Sequence, residues 1–241
     1  MLIKKHILMN ADETAIAFAE NLIDKISARK DGFFNMAVSG GSTPRHFFSL
    51  LSNEEYRKQI PWEKVRFFWV DERCVEPTHQ ESNFGMTYDA LLQYAFVPAS
   101  NIFRMKGEEI PENESQRYIN LLRKELPAKD GFPVFDLVLL GMGEDGHTAS
   151  IFPQNIELLN SDFPVEVSAH PVTGQKRITL TGKSINNAHD VIVLVTGESK
   201  AELLKVVINN EPGFEKYPIS HIHNNKGLVT YFLDKDAAKY L

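Results

Sequence analysis

The sequence predicts an α/β fold: a mostly parallel sheet with helices on both faces, a Rossmann-like three-layer architecture. Three observations carry this. Short apolar runs alternate along the chain with segments of helical period. Runs such as FDLVLL and DVIVLV are apolar throughout, as strands covered on both faces are. Turns rich in glycine and polar residues follow several of them, where open α/β sheets bind ligands. No repeat, low-complexity linker or composition break interrupts the chain, so one domain over residues 1–241 is expected.

Taken in order, Asn10 to Lys30 has a helical period in Ala15, Ala19, Leu22, Ile23 and Ile26, and Asn10 with Glu13 resembles a capping box. FFNMAVS follows as a strand and GGSTP as a turn. Pro44 suits the first turn of the next helix, with Ser42 or Thr43 as cap. VRFFWV (65–70) is a strand that ends at DER. A polar loop then leads to a helical run near FGMTYDALLQYAF, and PENESQRYINLLRKEL is a helix opened by Pro111. FDLVLL (135–140), RITLT (177–181) and DVIVLVT (190–196) are further strands. ESKAELLKVVIN is a helix between 198 and 209, and GLVTYFLD is a last strand before a short C-terminal helix.

Composition narrows the function classes. The chain is 43% hydrophobic and 24% charged, ordinary for a soluble globular protein. Its formal net charge is −6 with no long basic run, which removes the electrostatic footprint of nucleic-acid binding. An acidic total still allows an anionic substrate in a locally positive pocket. Cys74 is the single cysteine, so an internal disulfide is impossible and a reducing compartment is the simplest expectation. No stretch approaches a membrane span and no secretory leader is evident, so a cytoplasmic enzyme or binding protein is expected.

Four segments fall at strand ends: SGGSTP, DER, GMGEDGH and TGESK. In SGGSTP, the backbone of Ser39, Gly40, Gly41, Ser42 and Thr43 can cradle a phosphate at a helix N-terminus. No Gly-Lys-Ser/Thr follows, so it is not a nucleotide-triphosphate loop. Spacing alone leaves a plain capped turn equally open. In DER, Asp71 can orient a hydroxyl or move a proton, and Arg73 can bind a carboxylate or phosphate. A local ion pair is the commoner fate of such a cluster. Cys74 lacks the surroundings of a nucleophile.

GMGEDGH spells G-x-G-x-x-G, yet it puts Glu144 and Asp145 where a pyrophosphate would sit, and Pro153 follows soon after. The match is read as accidental. The glycines instead let Asp145 and His147 reach one pocket, where a carboxylate fixes the tautomer of a proton-transferring imidazole. Two ligands are too few for a metal, and none is expected. Arg177 and Lys200, at the start and just past the end of strands, can complete an anion site; surface charge is the bland alternative.

In that order, SGGSTP, VDER, GMGEDGHTASIFP, RITLT and GESKAEL resemble the 6-phosphogluconolactonase family over about residues 35–205, with GEDGHTASIFP the most specific part. Its superfamily includes glucosamine-6-phosphate deaminase/isomerase. The resemblance implies hydrolysis of 6-phospho-D-glucono-1,5-lactone, a sugar phosphate lactone, in the second step of the oxidative pentose phosphate pathway. It implies no metal or organic cofactor. His147 then matches the general base, Arg177 and Lys200 the phosphate side, SGGST the phosphate loop, and Asp71 and Arg73 the pocket. In the deaminase the loop carries a glutamate five residues after the histidine, where this chain has Phe152. A non-catalytic sugar-phosphate sensor and a dinucleotide-dependent dehydrogenase are the competing classes. Nothing in the sequence fixes an oligomeric state.

Overall fold

A computed structural model describes residues 2–241. Its strands, in chain order, are β1 (Leu2–Leu8), β2 (Phe34–Val38), β3 (Val65–Trp69), β4 (Asp71–Arg73), β5 (Ile102–Phe103), β6 (Ala128–Lys129), β7 (Phe132–Pro133), β8 (Leu137–Leu140), β9 (Val165–Ala169), β10 (Lys176–Leu180), β11 (Asp190–Val195) and β12 (Leu228–Asp234). Seven of them make one parallel sheet in the order β1-β12-β11-β8-β2-β3-β5.

Side chains alternate between two buried clusters, one on each face of this sheet. On β8, Leu137 and Leu139 enter one cluster, and Val138 and Leu140 enter the other. On β11, Ile192 and Leu194 oppose Val191, Val193 and Val195 in the same way. Because both faces are covered, the strands read as unbroken apolar runs. Helices α1 (Ala11–Ala28) and α2 (Ser42–Ser52) cover one face with Phe18, Leu22, Phe47 and Phe48. The Pro111–Glu125 and Ala201–Ile208 helices cover the other with Tyr118, Leu122, Leu204 and Val207. The predicted three-layer α/β class is the one observed.

The first helix begins where its cap predicts: Asn10 Oδ1 accepts from the Glu13 amide at 2.9 Å. The Glu13 carboxylate returns to the amide of Met9 at 3.3 Å, one residue before the cap. Three details depart from expectation. Helix α2 is capped by Gly41 at φ 107° with no side-chain hydrogen bond, rather than by Ser42 or Thr43. RITLT is the middle strand of a separate antiparallel sheet, β4-β10-β9, not a member of the main sheet. The last residues after β12 form turns rather than a helix. Further segments form strands that the sequence did not announce: β1 and β5 at the two edges of the main sheet, β9, and the short β4, β6 and β7.

The order of the main sheet places the site. From β2 the chain runs outward to β3 and β5, whereas β8, β11 and β12 extend the other way. β2 and β8 are paired at this reversal, Met36 with Leu137 and Ala37 with Val138. The loops after them diverge and open a crevice at the carboxyl ends of the strands. The small sheet closes its flank. The chain leaves β3 through Val70, whose amide still bonds to Val38 and whose carbonyl accepts from Leu180.

Candidate active site

A cavity of about 360 Å³ occupies that crevice. Its wall is drawn from the loops after β2, β8 and β11 and from β4 and β10. It brings together Ser39, Gly40, Gly41, Ser42, Thr43, Asp71, Arg73, His147, Arg177 and Lys200. Asp145 joins them through His147. Every residue singled out from the sequence is therefore at one place, although the chain separates Ser39 from Lys200 by most of its length.

His147 Nδ1 lies 2.5 Å from Asp145 Oδ1, and the same oxygen accepts the His147 backbone amide at 3.2 Å. An ionised carboxylate only accepts, so Nδ1 carries a proton, and in the neutral ring the lone pair then lies on Nε2. Partial burial works to raise the Asp145 carboxyl; the hydrogen bond and charge of His147 outweigh it and hold the group below its ordinary value. The turn closes on itself, with the Gly143 amide on the His147 carbonyl at 2.9 Å and the Gly146 amide on the Gly143 carbonyl at 3.1 Å. Phe152, fully buried, lies against the imidazole with ring centroids 4.7 Å apart.

The glycines of this turn make room for side chains. A Cβ on Gly143 would come within 2.2 Å of the His147 ring, and one on Gly146 within 2.6 Å of the Tyr217 ring. The space beside Gly143, which a dinucleotide fingerprint keeps for a pyrophosphate, is filled here by the His147 ring.

The SGGST loop offers bare backbone. Gly41 leaves the first amides of α2 without a side-chain cap, facing the cavity at the positive end of the helix dipole. The Ser39 hydroxyl is spent on the Leu139 carbonyl at 2.9 Å, and the Thr43 and Thr196 hydroxyls share a 3.0 Å hydrogen bond. Ser39 thus fixes the loop to β8, and the Ser42 hydroxyl and the amides remain for a ligand.

Two arginines face each other across β4 and β10, Arg73 opposite Arg177. The local ion pair that competed with a binding role for DER does not form. Arg73 instead donates to the Glu81 carbonyl at 2.6 Å, and Glu72 turns inward. The Glu72 carboxylate accepts the amides of Arg73, Asn83 and Phe84 at 2.7–2.8 Å and so holds the start of the Asn83–Thr87 helix. Burial pushes its carboxyl up, against the pull of those amides. Among the described residues neither arginine has a carboxylate partner within 4.0 Å, and the Nε of each is buried without an acceptor. Burial first, then the like charge of Arg73, lowers the Arg177 guanidinium from its ordinary value. Like charges directly opposite on neighbouring strands repel, and an anion in the cavity relieves them. Lys200 pairs with Glu144 at 3.0 Å, joining the loops after β8 and β11.

Sequence reasoning missed Asn83 and gave Glu144 no part in the site. Asn83 lines the cavity, fully buried. Its carboxamide donates to the Asp71 carbonyl at 2.9 Å and to Asp71 Oδ1 at 3.1 Å. It packs on Gly40 so closely that a Cβ there would come within 1.7 Å of Asn83 Oδ1. The one available signal was Ser82, whose hydroxyl caps the helix that Asn83 begins. No group of three or more His, Cys, Asp or Glu side chains among the described residues could hold a metal ion. No helix among the described residues is long and apolar enough to cross a membrane.

Fold and site together define a known class. The family of glucosamine-6-phosphate isomerases/6-phosphogluconolactonase matches residues 9–231, and the chain belongs to it. Lactonases are among its similar proteins within that family. The 6-phosphogluconolactonase of Treponema pallidum is 44% identical over 207 residues, 86% of this chain and 85% of the relative. That of Haemophilus influenzae is 37% identical over 229 residues, 92% of this chain and 97% of the relative. The crystal structure of 6-phosphogluconolactonase from Leishmania guyanensis matches with a TM-score of 0.88 at 29% identity, covering 100% of this chain and 99% of that one.

Proposed function

We propose that this chain hydrolyses 6-phospho-D-glucono-1,5-lactone to 6-phospho-D-gluconate, the second step of the oxidative pentose phosphate pathway, with water activated by His147. The observation that carries the mechanism is the Asp145–His147 pair in the wall of a cavity that also holds an uncapped helix N-terminus and two unpaired arginines.

A δ-lactone carbonyl is already reactive, so a positioned base and a charge-stabilising site suffice. His147 Nε2 takes a proton from water as the oxygen attacks C1, and Asp145 supports the charge that develops on the ring. Arg73, at the cavity wall, is our candidate donor to the tetrahedral oxyanion. The histidinium then returns its proton to the ring oxygen as the C1–O bond breaks, which regenerates the base. The phosphate is held by the Gly40–Thr43 backbone at the start of α2, with Arg177 and Lys200 as counter-charges.

Phe152 speaks against deaminase chemistry. It stands where the sibling's loop carries a glutamate, and its buried ring against His147 has no proton to move. The test is direct. Lactone is generated in place from glucose 6-phosphate, and its disappearance is compared with the spontaneous rate. Wild type is expected to accelerate hydrolysis, and His147→Ala to lose about 10²–10⁴-fold, the usual share of a general base. Full activity in His147→Ala would remove the base from its role. No acceleration by wild type would turn attention to glucosamine 6-phosphate deamination.

A further inference from the structure

Ser150 lies three residues beyond His147 and is fully buried. Each of its polar groups is bound by a side chain from the small sheet, one from every strand. Its amide donates to Thr179 Oγ1 on β10 at 3.1 Å. Its carbonyl accepts from Ser168 Oγ on β9 at 2.6 Å. Its hydroxyl donates to Asp71 Oδ2 on β4 at 2.7 Å. Ser168 also accepts from Asn155 Nδ2 at 2.7 Å, and Asn155 Oδ1 takes the amide of Phe152, the residue packed on the imidazole, at 2.5 Å. The other oxygen of Asp71 is engaged by Asn83, which packs on Gly40 of the anion loop.

The segment so held is a tight turn. The amides and carbonyls of Thr148 and Ile151 pair with each other at 3.0–3.3 Å, and the Thr148 hydroxyl reaches the Gly141 carbonyl at 2.9 Å. Ala149, between Thr148 and Ser150, sits at φ 50°, a conformation that persists in a residue with a Cβ only where its surroundings fix it. His147 is the residue before this turn, so whatever fixes the turn fixes the start of the imidazole side chain.

Resting on His147 as the base, we propose that Ser150 is a positioning residue for the reaction: its hydroxyl pins the proton-transfer turn to Asp71 and thereby sets the ring of His147. Asp71 then serves through Ser150 and Asn83 rather than by moving a proton. One buried carboxylate joins the turn that handles the proton to the loop that handles the phosphate. Ser150 itself is no nucleophile, because its oxygen is out of reach of the cavity.

Ser150→Ala deletes the hydroxyl and leaves the amide and carbonyl bonds in place. The expected result is about a tenfold fall in kcat, part of the loss that a 1 Å misplacement of a reacting group produces. Competitive inhibition by inorganic phosphate should stay within twofold of wild type. In ¹⁵N-histidine NMR spectra, the His147 ring should move from one tautomer toward a mixture. Thr179→Val, close in volume, releases the Ser150 amide and should act in the same direction; it decides the matter if Ser150→Ala does not fold. Unchanged kcat and an unchanged His147 spectrum would overturn the proposal. So would a loss of kcat matched by an equal loss of phosphate affinity with the His147 spectrum unmoved, which is what a merely structural role gives. If wild type proves inactive on the lactone, the reading of the substrate fails, yet the spectra still decide whether Ser150 sets the ring.

Discussion

Gly143→Ala adds a single methyl group in the turn beside the base, and the structure says where it lands. A Cβ there comes within 2.2 Å of His147 Cε1 and Nδ1 and 2.8 Å of Asp145 Oδ1. Gly143 has no left-handed φ, so alanine strains no backbone and the demand is for space alone. To reach ordinary contact near 3.5 Å the ring must retreat by about 1.3 Å. A displacement of about 1 Å of a reacting group costs on the order of 10²-fold, and leaving Asp145 also forfeits the tautomer. We therefore expect kcat to fall about 10²-fold, approaching His147→Ala, with KM within a few-fold because the SGGST loop is untouched. The double variant Gly143→Ala/His147→Ala should be no slower than His147→Ala alone, since the methyl then occupies the vacated space. Initial rates on lactone generated in place, corrected for spontaneous hydrolysis, measure all three proteins. A Gly143→Ala enzyme within threefold of wild type would refute the role given to this glycine. A double variant far slower than His147→Ala would show that the methyl acts elsewhere.

Other perturbations test other parts of the site. Arg177→Met keeps most of the buried volume and removes the charge; KM should rise about 10–100-fold, the worth of a hydrogen bond to a charged group. The unfolding temperature without ligand should hold or rise as the repulsion with Arg73 disappears, and an unchanged KM would take Arg177 out of the anion site. Cys74, whose thiol burial and the nearby Glu72 charge push up to about 11 from an ordinary 9.0, should react with iodoacetamide at pH 8 about a hundredfold more slowly than an ordinary thiol; comparison of native and urea-unfolded protein measures this, and equal rates would contradict it. Asp145, held low in the fold, contributes stability above its unfolded value near 3.9 and loses it as pH falls through the lowered folded value. Urea titrations of wild type and Asp145→Asn should thus differ at pH 7, by about 1 kcal/mol or less for so exposed a pair, and converge in acid; a gap that widens in acid would reverse the sign.

Periodicity made the central strands legible because burial on both faces leaves unbroken apolar runs. It says nothing of which strand lies beside which. RITLT reads as a strand, with Ile178 and Leu180 alternating with Thr179 and Thr181, yet its pairing with β4 and β9 rather than with the main sheet is decided only by the tertiary fold. LIKKHIL is hidden for another reason. As an edge strand, β1 keeps Lys4 and Lys5 in solvent, so its pattern carries little signal. The strand-end motifs revealed themselves through residue chemistry: a histidine two positions from an aspartate, glycines before a helix, an arginine after an apolar run. The residues that hold those motifs in place did not. Asn83 matters because it lies on Gly40, and Ser150 because Asp71, Ser168 and Thr179 converge on it. Those are contacts between distant parts of the chain, and the local sequence at either end reads as an ordinary polar turn.

The pairing of β1 with β12 bears on how the molecule is made. Leu2 is matched to Leu228 and Leu8 to Asp234, so β1 leaves the ribosome long before its one neighbour in the sheet exists. At 5–20 residues per second that is a wait of roughly 10–45 s, during which β2, β3 and the helices between them can already associate. The exposed Lys4 and Lys5 of β1 disfavour wrong pairing in the meantime. The pairing that closes this edge of the sheet joins the two of its strands that lie farthest apart in sequence, while the crevice lies at the middle of the sheet, between strands that can pair earlier.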